Sequence, residues 1–378
     1  MILTPDQQLI QDTARQFAQA ELVPYAPEWD RTATFPKEAI RKLGELGFMG
    51  MLVPPEWGGA GLDYTSYLLA LTEIAAGDGS CSTIMSVNNS VVCMPLLIYG
   101  TQQQKEQYLR PLAQGQMLGA FALTEPQAGS DAKGIRTIAR RDGQSYVLNG
   151  IKQFITSGKN ADVALVIAIT DPTAQKPTAS AFIVPTDSPG YQVTYIEHKM
   201  GQRASDTAQI TFDNCRIPAD HLLGSEGEGF KIAFSQLEGG RLGIAAQSVG
   251  MAQAALEYAK QYATQRYAFG KVLAEHQAIS FRLADMLTEL EAARALIFTA
   301  AEYRDQNLPS LQWASMAKLF ASEMAEKVCS NAIQILGGYG YLQDFPIERI
   351  YRDVRVTQIY EGTSDVQRIV ISRELFNH

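Results

Sequence analysis

Between Pro218 and Pro309 the chain carries no proline, and the segment is rich in Ala, Leu, Glu and Gln. Strong helix formers without a helix breaker commit that stretch to long helices. Within it, "LADMLTELEAARALIFTAAEY" keeps a stripe through Leu283, Met286, Leu287, Leu290, Ala293 and Ile297. Spacings of three and four are what one buried helix face requires. Long helices joined by short breaks predict an antiparallel bundle.

The period is different upstream. From Thr4 to about Leu118 the pattern is mostly helical, with Ile10, Thr13, Ala14 and Phe17 on one face. Thr4 fits an N-cap, Pro5 the first helical position and Gln7 the reciprocal capping-box position, so folded structure is expected almost from residue 1. "VPPEWGGAGLDY" is rich in turn residues and reads as a surface loop. From Gly119 to Gly224 strand signals take over. "DVALVIAIT" is a short apolar run suited to a strand buried on both faces. "AQITFDN" alternates, and "RRDGQSYVLNG" carries an Asp-Gly turn before a strand with Tyr146 and Leu148. No helical segments intervene, which predicts an antiparallel sheet rather than βαβ units. The expected organisation is α+β and multidomain: an N-terminal helical domain (1–118), a middle antiparallel β-domain (119–224) and a C-terminal helical bundle (225–378). A prior of roughly 150 residues per domain allows that division.

Charge and cysteine usage narrow the function classes. The net charge of −8 leaves no electrostatic footprint for nucleic acid. No uninterrupted apolar run reaches the ~20 residues of a membrane span, and the start lacks a signal-peptide pattern. Cys81, Cys93, Cys215 and Cys329 show no C-x-x-C spacing, and the histidines form no H-E-x-x-H. Reduced thiols in a cytoplasm are expected, and no metal site. The glycine clusters "GSEGEGF" and "LGGYGYL" both fail G-x-G-x-x-G, so a dinucleotide would need another architecture.

Two longer stretches carry a resemblance. "FALTEPQAGSDA" (121–132) resembles the first signature of acyl-CoA dehydrogenases, and "QILGGYGYLQDFPIERIYRDVRVTQIYEGTSDVQR" (334–368) resembles the second. "KQFITSGKNAD", "LEGGRLGIAAQ" and "QRYAFGK…EHQA" are similar to family segments in the same order, so the resemblance spans essentially the whole chain. It implies the family's fold, with a four-helix bundle at the C-terminus, and FAD as cofactor. Phe121, Leu123, Thr124, Gly129 and Ser130 would line the flavin, and Phe154, Ile155 and Thr156 would cover its ring. Phe154 stands where many members have Trp, which keeps an aromatic platform. Gln127 replaces the glycine commonest at its place. Arg266, Phe269, Gln277, Gln334, Ile335, Leu336, Gly337 and Gly338 would come from a neighbouring subunit, with Arg266 on the pyrophosphate; Thr363 and Asp365 complete the implied cofactor set. Taken alone, Arg266 reads equally as a surface ion pair.

The same resemblance makes Glu361 the base that takes the α-proton of an acyl thioester while the flavin accepts the β-hydride. A carboxylate needs burial to become a competent base at neutral pH. Ser364 to Gln367 fits a capping box, so Glu361 would sit in the loop just before a helix, next to Gly362. A helix N-terminus favours the anion, whereas desolvation by substrate is expected to prevail. Some branches of the family carry the base immediately before an arginine matching Arg241; here Gly240 stands there, leaving Glu361 alone. The implied substrate contacts are Ser130, Glu238, Arg241, Tyr360, Glu361 and Gly362, with a helix-surface pair to Glu238 as the plainer reading of Arg241.

"IMSVNNS" (84–90) and "GGRLGIAAQ" (239–247) are closest to short-chain members, implying a short straight or branched acyl-CoA, electron-transfer flavoprotein as acceptor and a homotetramer. A medium-chain substrate is the near alternative. Flavin-dependent monooxygenases and nitroalkane oxidases share the scaffold but generally lack this glutamate. A flavin-free assembly factor would show decay at Glu361, Arg266 or 334–338, which this sequence does not.

Overall fold

The computed structural model describes residues 2–171 and 178–376. The chain opens with eight helices: α1 (Pro5–Phe17), α2 (Ala26–Thr32), α3 (Lys37–Glu45), α4 (Tyr64–Gly77), α5 (Gly79–Val87), α6 (Met94–Tyr99), α7 (Gln102–Gln104) and α8 (Arg110–Ala113). Thr4 caps α1 in a capping box with Gln7, as its sequence predicts. The loop after α3 departs from expectation. Its Val53 and Trp57 are buried, because Pro55–Trp57 turns inward and the indole lies beneath Lys105 and Arg110. The run Gly79–Tyr99, interrupted by Ser, Thr and Asn, is by length and mean hydropathy alone apolar enough for a span. Most of it is buried inside the protein, as a core helix of a globular fold is.

Eight strands follow: β1 (Gly119–Ala122), β2 (Ile138–Asp142), β3 (Ser145–Thr156), β4 (Val163–Asp171), β5 (Thr178–Pro185), β6 (Tyr191–Ile196), β7 (Thr207–Pro218) and β8 (Leu222–Leu223). They form one sheet in the order β6-β7-β3-β2-β4-β5-β8, with β1 also on β4. Asp142 pairs with Ser145 across a two-residue turn whose Gly143 takes φ +60°, the conformation such hairpins demand. Strand β4 explains its unbroken apolar run. Ala164, Val166 and Ala168 face one core, whereas Val163, Leu165, Ile167 and Ile169 face a second. The sheet is not wholly antiparallel: β1 runs parallel to β4, and β2 meets β4 in parallel at Ile138 and Ile169. A parallel pair needs a long crossover, and here the β2–β3 hairpin supplies the length that a helix supplies elsewhere.

The C-terminal part holds α9 (Gly229–Gln265), α10 (Gln277–Asp305), α11 (Leu311–Leu336), α12 (Pro346–Val354) and α13 (Ser364–Phe376), with a two-stranded hairpin, β9 (Tyr267–Ala268) and β10 (Lys271–Val272), between α9 and α10. Helix α9, about 55 Å long at 1.5 Å per residue, is buried from Gly239 to Ala252 between α4 and α11. A Cβ on Gly250 would lie 2.1 Å from the Thr72 carbonyl, so the α4–α9 approach depends on that glycine. On α10, Met286, Leu290, Ala293 and Ile297 are buried as the stripe predicts, whereas Leu287, on its flank, is exposed.

Candidate active site

The second long motif folds into α12, a short 3-10 turn (Arg355–Gln358) and α13, with residues 359–363 as the connection. Glu361 and Gly362 take φ +54° and +88° in succession. For a glutamate this left-handed backbone costs roughly 1–2 kcal/mol, so neighbours must hold it. Two side chains do. Lys318 Nζ donates to the Gly362 carbonyl at 2.7 Å, and Gln367 Nε2 donates to the carbonyls of Glu361 (3.1 Å) and Gly362 (3.0 Å). The helix cap lies one residue earlier than its sequence predicts. Thr363 Oγ1 accepts from the Val366 N–H at 3.2 Å, whereas the buried Ser364 hydroxyl has no partner among the described residues. Gln367 turns its amide to the loop carbonyls instead of closing a capping box, because the left-handed turn brings those carbonyls within reach.

The Glu361 side chain leaves this turn toward α9. A Cβ built on Gly240 would lie 2.5 Å from Glu361 Oε2, so the carboxylate occupies the space that any other residue at 240 would fill. Oε2 is enclosed and accepts no hydrogen bond among the described residues. Burial raises the pKa to about 7, against the opposing pull of Arg241 and Lys318. Desolvation therefore outweighs the favourable charges even without a bound acyl chain.

Arg241 is buried and donates from Nη1 to Ser315 Oγ at 3.3 Å, and its Nε has no partner among the described residues. The Glu238–Arg241 pair, the plainer reading of Arg241, does not form. Glu238 instead meets Arg304 at 3.3 Å and accepts from Ser310, because α10 and α11 converge on that side of α9. Tyr360 is anchored: its hydroxyl donates to Gln247 Oε1 (2.7 Å) and accepts from Gln202 Nε2 (3.2 Å), and burial pushes the phenol up to about 12.

The residues of the first motif gather at the rim of the sheet. Phe121 ends in β1 and Leu123 is buried, while Thr124 is half-buried and Gly129 and Ser130 are exposed. Behind them sits a feature that sequence reading missed. Lys152 and Glu125 form a wholly buried ion pair at 2.8 Å, with Lys152 also on the Leu123 carbonyl and Glu125 accepting the Arg136 and Thr137 N–H groups. A lysine at an inward position of a strand was the available signal. Gln127 needs no left-handed backbone and donates to Glu125 and the Gly134 carbonyl, so losing a glycine there is harmless. Phe154 (φ +59°) is exposed. Ile155 is turned into the core, leaving Phe154 and Thr156 as the accessible members of that trio.

A cavity of about 440 Å³ brings together Arg266, Ile335, Leu336, Gly337 and Gly338 with Tyr262 and Tyr339. Arg266 lies 5.5 Å over the Tyr339 ring, which replaces the surface ion pair as its contact. A Cβ on Gly337 or Gly338 would meet nothing within 4 Å, so open space lies against that backbone. Ile335 and Leu336 are buried, Gln334 is exposed, Gln277 opens α10, and Phe269 on the nearby hairpin is almost fully exposed. Thr363 and Asp365 flank the start of α13. An arginine with no ion pair among the described residues, beside open glycine backbone, fits an anionic dinucleotide cofactor.

Comparison with known proteins decides the family. The chain matches the acyl-CoA dehydrogenase N-terminal domain over residues 4–116, the middle domain over 120–215 and the C-terminal domain over 227–376. It is 49% identical to the mitochondrial short-chain specific acyl-CoA dehydrogenase of Rattus norvegicus, over 97% of this chain and 89% of that one. Butyryl-CoA dehydrogenase from Megasphaera elsdenii superposes with a TM-score of 0.97 at 42% identity, covering 100% of this chain and 99% of that one. A chain in the structure described as the electron transferring flavoprotein of Acidaminococcus fermentans matches with a TM-score of 0.98 at 46% identity, covering both chains fully. The chain belongs to the acyl-CoA dehydrogenase family. Acyl-CoA dehydrogenases are FAD-dependent oxidoreductases, which agrees with a carboxylate of raised pKa and a cradle suited to a dinucleotide. Lys318, which helps hold the glutamate turn of this acyl-CoA dehydrogenase, was not found by sequence reading, and Gln367 was read there as a helix cap rather than as a donor to the turn. Lys318 lies 44 residues before the carbonyl it holds, and no local pattern announces such a contact.

Proposed function

We propose that this acyl-CoA dehydrogenase oxidises a short-chain acyl-CoA to the trans-2-enoyl-CoA, with Glu361 as the base. The observation that carries the reading is the enclosed, unpartnered Oε2 of a carboxylate whose pKa is raised to about 7. Such a group is ionised in a useful fraction at neutral pH and is basic enough to take a weakly acidic α-proton. Gly240 leaves it room, and Arg241 and Lys318 stabilise its charged form before reaction. When bound, FAD supplies the acceptor for the hydride that leaves Cβ as the α-proton moves to Glu361. Phe154, Thr124, Ser130 and Thr156 would hold the flavin end, and Arg266, Gln277 and the 334–338 backbone the pyrophosphate and adenine end.

The names of the rat and Megasphaera proteins support a short acyl chain, and the Acidaminococcus match supports an electron-transferring flavoprotein as acceptor. The exposed Tyr267 and Phe269 on one hairpin support a neighbouring subunit covering it, as in the homotetramer that the family resemblance implies. Four buried, unpaired cysteines support a reducing, cytoplasmic setting. The test is an anaerobic titration of the flavin-loaded protein with butyryl-CoA, isobutyryl-CoA and octanoyl-CoA, alongside Glu361→Gln. Rapid loss of flavin absorbance with butyryl-CoA, absent in the variant, is the expected result. Faster reduction by isobutyryl-CoA or octanoyl-CoA would move the substrate to branched or medium chains, and reduction undiminished in Glu361→Gln would remove the base.

A further inference from the structure

Helix α11 carries a polar rail on an otherwise small and apolar buried face. Ser315, Lys318 and Ser322 are wholly buried among Ala314, Ala317, Ala321 and Ala325. Their spacing of three and four puts them on one side of the helix. That side faces α9 and the second motif: Ser315 accepts from Arg241 of α9, while Lys318 donates to the Gly362 carbonyl and the Ser322 backbone carbonyl accepts from Gln358 Nε2 at 3.3 Å. The middle member is the anomaly. A fully buried lysine whose ammonium donates to a single carbonyl among the described residues is costly, and an apolar side chain of that length would pack at no such cost.

What the lysine does is visible in its neighbours. Through Gly362 it holds one carbonyl of the left-handed turn that aims Glu361 at α9. Its charge also reaches the carboxylate. The groups facing Glu361 are Arg241 from α9, Lys318 from α11, Tyr67 from α4 and Tyr360 beside it; those facing Lys318 are Glu361, Arg241 and Glu323 of its own helix. We propose that Lys318 is a positioning residue of the dehydrogenation, fixing the Glu361–Gly362 turn and supplying, with Arg241, the positive charge against which the carboxylate ionises. The inference rests on Glu361 being the base. Burial pushes the Lys318 ammonium down to about 7, with Glu361 opposing that fall and Arg241 adding to it, so the charge it lends the carboxylate is present below that pH and is lost as pH rises through it.

The experiment compares flavin-loaded wild type with Lys318→Met, Lys318→Gln, Lys318→Arg and Glu361→Gln. It follows kcat and KM for butyryl-CoA from pH 5.5 to 9 with an artificial electron acceptor. Removing a cation that favours the carboxylate raises its pKa. In Lys318→Met and Lys318→Gln the acid limb of kcat/KM therefore moves up by about one unit, a loss of about tenfold below the limb. The change falls on kcat, with KM altered less than about twofold, and Lys318→Arg returns the limb toward wild type. Should Lys318→Met lose flavin or unfold, the Gln and Arg variants decide alone, since Gln keeps a donor on a side chain one bond shorter and loses the charge, whereas Arg keeps the charge. An acid limb that disappears in Glu361→Gln but stays in place in the Lys318 variants overturns this inference and leaves the base intact. A limb that survives in Glu361→Gln overturns the base, and this inference with it.

Discussion

At residue 240 the presence of a hydrogen rather than a methyl group decides where the carboxylate can sit. A Cβ there would come within 2.5 Å of Glu361 Oε2, and the far end of a glutamate yields more easily than helix α9. Gly240→Ala is therefore expected to fold with a stability change below ~1 kcal/mol, since alanine also suits a helix better. If Glu361 is the base as proposed, kcat falls about a hundredfold, because displacement of a catalytic group by about 1 Å costs that much. Steady-state kinetics with butyryl-CoA beside a melting curve checks it; unimpaired turnover would mean the carboxylate is not aimed past residue 240. Glu361 and Gly240 were both legible in the sequence, the first through a long motif and the second by its place before Arg241. The partners of Glu361 were not. Lys318 and Gln367 act on backbone carbonyls, which a sequence does not display, and the carbonyls turn toward them only because residues 361 and 362 are left-handed.

At the scale of elements, hydrophobic periodicity read the helices and strands well, and hydrogen-bonding detail less so. Strand β4 was legible because its two faces each meet a core. The parallel pairing of β1 with β4 was not, since an antiparallel hairpin stands between them in the chain. The start of α13 shows the same limit at finer grain. Thr363 and Ser364 are both competent caps in sequence, and the choice depends on the turn before them. With Thr363 Oγ1 on the Val366 N–H and the Ser364 hydroxyl unpartnered, Thr363→Ala is expected to cost about 1 kcal/mol. Ser364→Ala should cost less than ~0.5 kcal/mol, since no hydrogen bond is lost. Denaturant unfolding of the two variants separates them, and the reverse order would return the cap to Ser364.

Across the whole molecule, buried charge joins parts of the chain that are far apart in sequence. Arg349 of α12 lies 3.3 Å from Asp78, which caps α5, and 3.9 Å from Asp353, all three side chains being almost fully buried. Burial pushes Asp353 up to about 7, with Arg349 opposing that rise and Asp78 adding to it. A carboxyl held above its ordinary range binds its proton more tightly when folded. Its contribution to stability is full below that range and is lost as pH rises through about 7. Arg349→Met removes the opposing cation and leaves two carboxylates facing each other. The variant is expected to lose about 3–5 kcal/mol at pH 8, the usual cost of breaking a buried pair. Protonation of Asp353 relieves part of that repulsion, so the gap from wild type narrows toward pH 5. Adding Asp353→Asn to Arg349→Met should recover part of the loss at pH 8 and flatten its pH dependence. Unfolding measured at pH 5 and pH 8 tests the whole arrangement. A gap that stays constant between them would mean that α12 is held to α5 by packing alone. The Gln202–Tyr360 contacts, which reach Asp353 through the Gln202 N–H, would then hold the loop before Glu361 independently of this charge.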